Sequence, residues 1–383
     1  MLTTVASAQP SDMPPMPHGA HSTERAPISS FWRLVWRRFM RHRIACAALV
    51  VVALLYLVAA FGDFLACADP RAVDAKFALV PPQRIHLWSE HGFAPHVNAL
   101  VRSRNPRTLV WDYSSDKSHP LPLTIFAHGY RYRLFGAFPT DIHLLGFAGK
   151  SAQPALFVLG SDRFGRDLLS RIILGMRTSL TIGLVGVCLS LALGAILGGI
   201  SGYYGGSVDL LIQRLIEILR AIPTIPLWMG LAIAIPPGWG VSAVYFSITI
   251  IISLIGWTEL AREIRGRVLS LRHEDFVLAA RLCGAGPRRI IFAHLLPLCV
   301  SHIIAATTLA VPSMILSETA LSFLGLGLRA PAISLGLLLN DAQNVQALAL
   351  YSWLMWPAAP VALIILAFNF LGDGLRDAAD PYG

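Results

Sequence analysis

An all-α polytopic membrane protein with six transmembrane helices, and a small β-rich extracytoplasmic insert between the first and second of them, is the fold class this sequence predicts. Three observations lead there. Of 383 residues, 55% are apolar and only 14% charged, too few charges to cover a soluble protein of this size. Mean hydropathy is +0.60, and the apolar residues gather in runs long enough to cross about 30 Å of hydrocarbon. Finally, Arg33, Arg37, Arg38, Arg41 and Arg43 stand immediately before the first run, the placement that holds a flank in the cytoplasm against anionic headgroups. The membrane surface thus accounts for the net charge of +9, and no nucleic-acid partner is expected.

In chain order, residues 1–30 are rich in Pro, Met, Ser and His and lack a basic region leading into an apolar core. They read as a disordered cytoplasmic tail, not a signal peptide. Residues 31–65 hold the basic flank and a first span, Ile44 to Phe61. Residues 66–160 are too long and too polar for a turn between helices. Within them Arg107 to Tyr113 and Leu123 to Phe135 favour strands by their Val, Ile, Thr, Tyr and Phe content. An amphipathic segment, 161–177, leads into a core over 178–372, with spans at Thr178–Tyr203, Ile218–Ile235, Val241–Trp257, Cys299–Leu316 and Leu350–Phe370. A basic cytoplasmic loop, 259–297, carries Arg262, Arg265, Arg267, Arg272, Arg281, Arg288 and Arg289. With residues 373–383 as a second cytoplasmic tail, both termini face the cytoplasm.

Within the second span Gly194, Gly198 and Gly202, continued by Gly206, recur every four residues and so share one helical face. A neighbouring helix can approach closely there. Of the cysteines, Cys46, Cys188 and Cys299 lie in apolar runs and Cys283 in the basic loop, leaving Cys67 as the one that meets an oxidising compartment. A disulfide scaffold is not expected.

Enzymatic motifs are missing. Gly146-Phe147-Ala148-Gly149-Lys150-Ser151 imitates the end of a phosphate-cradling loop, but Leu144 occupies the place of the glycine that lets backbone amides wrap phosphate. A flexible loop is the reading preferred. His86, His91 and His96 recur at a spacing that suits neither a helical metal pair nor one strand face, so no metal site is assigned. No cofactor is expected in this chain.

Ionisable groups within spans are costly and mark pathways or partners. Glu318, near the outer end of the fifth span, is the main candidate, followed by Asp209, Glu217 and Asp373. The competing account is interfacial: charges at helix ends pairing with Arg214, Arg220 or Arg376.

The most informative stretch is Asp275-Phe276-Val277-Leu278-Ala279-Ala280-Arg281-Leu282-Cys283-Gly284, followed by Ala285-Gly286-Pro287 and by Arg288 to Pro297. It reads as a short helix, a Gly-rich turn, and a second helix stopped by proline. Small Ala279 and Ala280 and the flexible Gly284 let another protein come close, and the arginines offer contacts to its carboxylates.

This stretch resembles the EAA loop of ABC-importer inner-membrane permeases. Leu278-Ala279-Ala280 stand in place of the Glu-Ala-Ala, then come Gly284 and His294-Leu295-Leu296-Pro297. Leu278 replaces the family's Glu and His294 its Ile, as is common in the peptide branch. Four further stretches are similar to the second permease of dipeptide, oligopeptide and nickel importers: Ser161 to Arg171, Ser201 to Gly206, Glu318 to Gly327, and Gly372 to Asp377. The large insert looks like that of the Yej-type subgroup, linked with peptide and microcin uptake.

The resemblance implies a type I ABC importer fold without catalytic residues of its own. Its partners would be a homologous second permease, two ABC ATPase subunits holding ATP and Mg, an extracytoplasmic solute-binding protein, and membrane lipid. Asp275, Leu278, Ala279, Ala280, Arg281, Gly284, Leu296 and Pro297 would form the ATPase-coupling loop. Glu318 and Ser322 would be contacts at the outer mouth for substrate or binding protein. The alternative is an ion-coupled secondary transporter acting without an ATPase. It asks for midplane carboxylates and discontinuous helices in two related halves, and neither is evident in the sequence.

Overall fold

The computed structural model describes residues 31–89, 92–104, 106, 111–149, 153–236, 238–343 and 349–379. The expected N-terminal tail, His91, Arg107 to Val110, Lys150, Ser151 and residues 380–383 lie outside them. An amphipathic helix α1 (Phe31–Arg41) lies against the last helix and leads into α2 (Arg43–Ala60). The His42 imidazole accepts the Ala45 N–H at 3.1 Å, satisfying one of the free donors at the start of α2. A one-turn helix α3 (Gly62–Leu65) follows.

The insert is an antiparallel meander in the order β1-β2-β3-β4, formed by β1 (His86–Ser89), β2 (Gly92–Arg104), β3 (Trp111–Leu134) and β4 (Phe138–Phe147). The expected strand over 123–135 is thus the second half of a 24-residue strand. Gly146 and Phe147 pair with Thr124 and Leu123, so the stretch that imitates a phosphate loop begins as strand instead of flexible loop. His86 and His96 are cross-strand partners with rings stacked at 5.4 Å; their spacing reflects a hairpin.

From Leu168 onward, the amphipathic segment expected at 161–177 is continuous with the helix of the second span. Helix α4 (Leu168–Tyr204) runs unbroken for 37 residues, about 55 Å at 1.5 Å per residue, and so overshoots the bilayer. Asp167 caps it, accepting the Ser170 N–H at 2.8 Å and its hydroxyl at 2.5 Å. Burial, with nearby Asp162 adding to it, pushes the Asp167 carboxyl up to about 6 from 3.8, against the hydrogen bonds from Ser170 and Leu169. A raised folded-state pKa means that this group's stabilisation is complete below pH 3.8 and is lost as pH rises through about 6. Asp167→Asn keeps the cap and removes the titration. From pH 7 to pH 5 the wild type is therefore expected to gain about 1 kcal/mol relative to this variant, measured by paired thermal unfolding at the two pH values. A constant difference would refute the assignment.

The third expected span, Ile218–Ile235, is not one helix. Helix α5 (Gly206–Ala221) and helix α6 (Thr224–Ile233) meet at an 86° bend. Proline disfavours helical backbone at the residue before it, and Ile222, ahead of Pro223, is extended at φ −84°, ψ 129°. Ten residues reach only about 15 Å, so α6 cannot cross alone.

Helix α7 (Val241–Leu271) continues 14 residues past the expected end of its span at Trp257, so the first third of the expected loop 259–297 is helix. Beyond it come α8 (Asp275–Leu282), α9 (Pro287–Arg289), a π-helical turn (Ile290–Leu295), α10 (Leu296–Leu298) and α11 (Val300–Phe323). Helix α12 (Leu335–Asp341) and a 3₁₀ turn (Ser352–Met355) precede α13 (Ala358–Ala379). Helix α13 takes in most of the expected tail 373–383. Among the described residues five helices are long and apolar enough to cross a membrane, or up to six if α5 and α6 form one broken span.

The core is the contact of α4 with α7, α11 and α12 and of α13 with α2 and α11. Gly194, Gly198 and Gly202 make the α4–α7 contact possible. A Cβ on Gly198 would lie 2.5 Å from the Ala261 carbonyl oxygen, on Gly194 2.8 Å from Leu260 Cβ, and on Gly202 2.8 Å from Val268 Cβ. Gly206 does not continue this face: it follows the Gly205 turn, where the chain leaves α4, and nothing lies near it.

Candidate functional site

Helix α8 has two faces. Val277 is wholly buried against Ile264 and Val268 of α7 and against Ile290, Leu295 and Cys299, with Ala280, Ala285 and Leu296 packed alongside. Leu278 and Ala279 point outward together with Asp275, and Leu282, one turn after Leu278, is 89% exposed. Arg281 lies over the Tyr203 ring at 5.1 Å, tying the helix to the end of α4.

Gly284 stops the helix. At φ +80° it occupies the left-handed region that glycine enters without a Cβ penalty. The Gly284 N–H donates to the Arg281 carbonyl at 2.9 Å and the Ala285 N–H to that of Ala280 at 3.0 Å, the paired bonds of a Schellman ending. A Cβ at Gly284 would meet nothing within 4 Å, so open space surrounds this corner.

The expected coupling residues thus divide. Leu278, Ala279 and Asp275 face outward, Ala280 packs inward, Arg281 bridges to α4, and Gly284 sets the turn. Leu296 is half-buried and exposed Pro297 begins the lead into α11. Two residues were missed by sequence reasoning. Val277 anchors the helix, and Leu282 is its most exposed apolar side chain; the helical spacing Leu278, Leu282 was the available signal. The segment Trp257–Arg262, between the expected fourth span and the basic loop, is interior to α7.

Glu318 and Ser322 are both wholly buried. The Ser179 hydroxyl donates to Glu318 Oε2 and that of Ser322 to Oε1, each at 2.8 Å. Ser322 Oγ also accepts the Leu328 N–H at 3.2 Å, and the Leu335 N–H reaches Ser179 at 3.3 Å. The chain between α11 and α12 thus folds back over both residues. Glu318 is neither at a helix end nor paired with arginine. Asp209, expected to pair with Arg214 or Arg220, instead binds Arg265 of α7 through two bonds of 2.5 and 2.6 Å. Glu217 does pair with Arg214, at 2.8 Å.

A charged cluster joins the Ser161 to Arg171 stretch to Asp341, a pairing that sequence reasoning missed. Buried Asp162 accepts Arg166 Nε at 2.6 Å and a short bond from Arg171 Nη1, and Asp341 at the end of α12 meets Arg163 at 3.0 Å and Arg171 at 3.4 Å. It latches the start of α4 to the segment that precedes α13.

The chain is similar to known proteins along most of its length. Residues 157–382 match the family described as binding-protein-dependent transport system inner membrane component. Residues 30–82 match the N-terminal TM domain of oligopeptide transport permease C. The chain is 33% identical over 366 residues to the dipeptide transport system permease protein DppC of Lactococcus lactis subsp. cremoris, covering 95% of this chain and 94% of that one. It is 43% identical over 235 residues to the oligopeptide transport system permease protein OppC of Haemophilus influenzae, covering 60% and 73%. Among solved structures, the MetNI methionine ABC transporter in an inward-facing form aligns with a TM-score of 0.45 at 16% identity, covering 55% of this chain and 96% of that one. The chain belongs to the binding-protein-dependent transport system inner membrane components: it is the membrane permease subunit of an ATP-driven ABC importer, and itself not an enzyme.

Proposed function

We propose that this chain forms half of a pathway for peptides or related small solutes and receives its driving motion through α8. A homologous permease supplies the other half, two ATPase subunits carry ATP and Mg, and a solute-binding protein delivers cargo from outside. The bilayer is crossed six times, with α5 and α6 as one broken crossing, both termini in the cytoplasm and the sheet outside. The peptide assignment rests on the dipeptide and oligopeptide permeases among the relatives.

The observation that carries the reading is the two-faced α8. Its outward Leu278, Ala279 and Leu282 offer an apolar ridge to a groove, while Val277 ties it to α7 and to the turn leading into α11. Displacement of α8 therefore moves two spans at once. Coupling of this kind works when the ATPases grip α8 better in one state than in the other. The test is reconstitution of the complex with its binding protein in liposomes: peptide-loaded binding protein is expected to stimulate ATP hydrolysis and uptake together. Uptake by the purified chain alone, driven by an ion gradient, would overturn the reading.

Orientation has its own measurement. Cys283, exposed beside Leu282, is expected to react with a membrane-impermeant maleimide in inverted vesicles stripped of peripheral proteins, and to stay unlabelled in right-side-out spheroplasts. Burial pushes the Cys67 thiol up to about 12, with Asp167 adding to it, so Cys67 stays silent in both. Labelling of Cys283 from outside would invert the proposed topology.

A further inference from the structure

The β3–β4 hairpin, most of all its tip at Phe135 and Phe138, carries an apolar surface that the transport reading does not use. Phe126, Phe135 and Phe138 are 63%, 60% and 68% exposed, and Ile125 is 64% exposed. Apolar groups gathered in this way on one exposed element mark an interaction surface. Its location follows from two ring contacts. Phe135 meets Phe61, just past the end of α2, edge-on at 5.3 Å, and Phe126 lies 6.2 Å from Phe64 of α3. A hydrogen bond of 3.0 Å between His143 and the Asp63 carbonyl fixes β4 at the same level, where Asp63 also pairs with Arg177 of α4 at 2.6 Å.

That level is where the span ends. The 18 residues of α2 make about 27 Å, close to the thickness of the hydrocarbon. Val50, Leu54, Leu57 and Phe61 form one exposed stripe along it, at the spacing of a single helical face. Phe135 stands on the last residue of the stripe, so the exposed phenylalanines continue a lipid-facing surface past the end of the helix. Just behind them Arg131 and Arg133 are exposed and form no ion pair among the described residues, which suits phosphate groups.

We infer that the hairpin tip dips into the headgroup region of the leaflet at which α2 ends, with Phe135 and Phe138 among the upper acyl carbons and Arg131 and Arg133 at the lipid phosphates. The insert thereby rests on the bilayer and is held at a fixed tilt against α2, α3 and α4. A second polypeptide covering the same phenylalanines is the competing occupant.

Photocrosslinking separates the two. p-Benzoylphenylalanine is placed at Phe135, at Phe138, or at Trp111 at the opposite end of β3, in the full complex reconstituted in phosphatidylethanolamine and phosphatidylglycerol bilayers, and adducts are read by mass spectrometry after irradiation. Phe138 makes no ring contact with α2 or α3 among the described residues, so it reports even if substitution at Phe135 disturbs packing. Lipid adducts at Phe135 or Phe138 at least about fivefold above those at Trp111 are expected. Adducts to another polypeptide, equal lipid labelling at all three positions, or no lipid adduct at either Phe would each overturn the inference.

Discussion

Leu282→Glu is expected to abolish substrate-stimulated ATP hydrolysis and uptake while leaving the permease inserted and folded. The side chain is 89% exposed in the isolated chain, so a charge there costs the fold almost nothing. In the complex the same side chain is the most protruding part of the ridge proposed to enter the ATPase. A buried apolar anchor at an interface is commonly worth about 2 kcal/mol or more, and a carboxylate forced into that place adds its desolvation. Association of permease and ATPase should weaken at least roughly thirtyfold. Co-purification of the ATPases and basal and stimulated hydrolysis in liposomes are the readouts. Wild-type stimulation by the variant would show that the ridge is not the contact.

Val277 supplies the contrast. Its side chain faces inward, so Val277→Ala should leave ATPase binding in place but loosen α8 from α7 and α11, giving hydrolysis with less transport per ATP. The two positions lie five residues apart on one short helix and separate grip from transmission. That separation was half legible in the sequence. The Gly-rich stop and the small residues at 279 and 280 located the helix, because a Schellman ending needs a residue that accepts positive φ. Which side faced outward depended on packing by Ile264, Val268 and Ile290, contacts that no local pattern encodes.

The same division runs through the fold. Apolar runs disclosed the spans because hydrocarbon demands them, and the Gly194, Gly198, Gly202 spacing disclosed the α4–α7 approach because only a missing Cβ permits a gap of that size. Helix ends were hidden. Both α4 and α7 run unbroken beyond the length that crosses hydrocarbon, and an amphipathic continuation of an apolar helix looks like a separate element in the sequence. Pro223 was visible, but its effect was not: an 86° bend divides one apolar run into two helices. Glu318 stands out in the sequence as an ionisable group within a span, but its bond to Ser179, 139 positions away, does not. Long-range polar partners are the least legible feature because neither hydropathy nor periodicity records them.

The charged latch at the start of α4 is the extreme case, since its members Asp162 and Asp341 are 179 positions apart in the chain. Three arginines share two carboxylates there, and both the Arg171 and Asp162 side chains are only 2% exposed. Asp162→Asn is therefore expected to be the most damaging conservative change in this region. Asparagine keeps the oxygen that accepts the Phe164 and Arg166 N–H groups at 2.8 and 3.0 Å, so the turn survives, while the charge and the oxygen that accepts Arg166 Nε and Arg171 Nη1 are lost. Arg171 is then left buried with Asp341 at 3.4 Å as its remaining partner, and a broken buried pair typically costs about 3–5 kcal/mol. Arg171→Met is expected to be milder, because Arg163 and Arg166 still balance the two carboxylates. The double variant should recover part of the loss caused by Asp162→Asn, since it removes the stranded charge. Cys67 reports on the outcome: its N–H and that of Ala68 donate to Ser170 Oγ at 3.0 and 3.1 Å, and Ser170 is the residue before Arg171. Release of the latch should raise maleimide reactivity of Cys67 in the order wild type, Arg171→Met, double variant, Asp162→Asn. If Arg171→Met proves the worst of the three, Arg171 holds this corner by packing and not by answering the buried charge of Asp162.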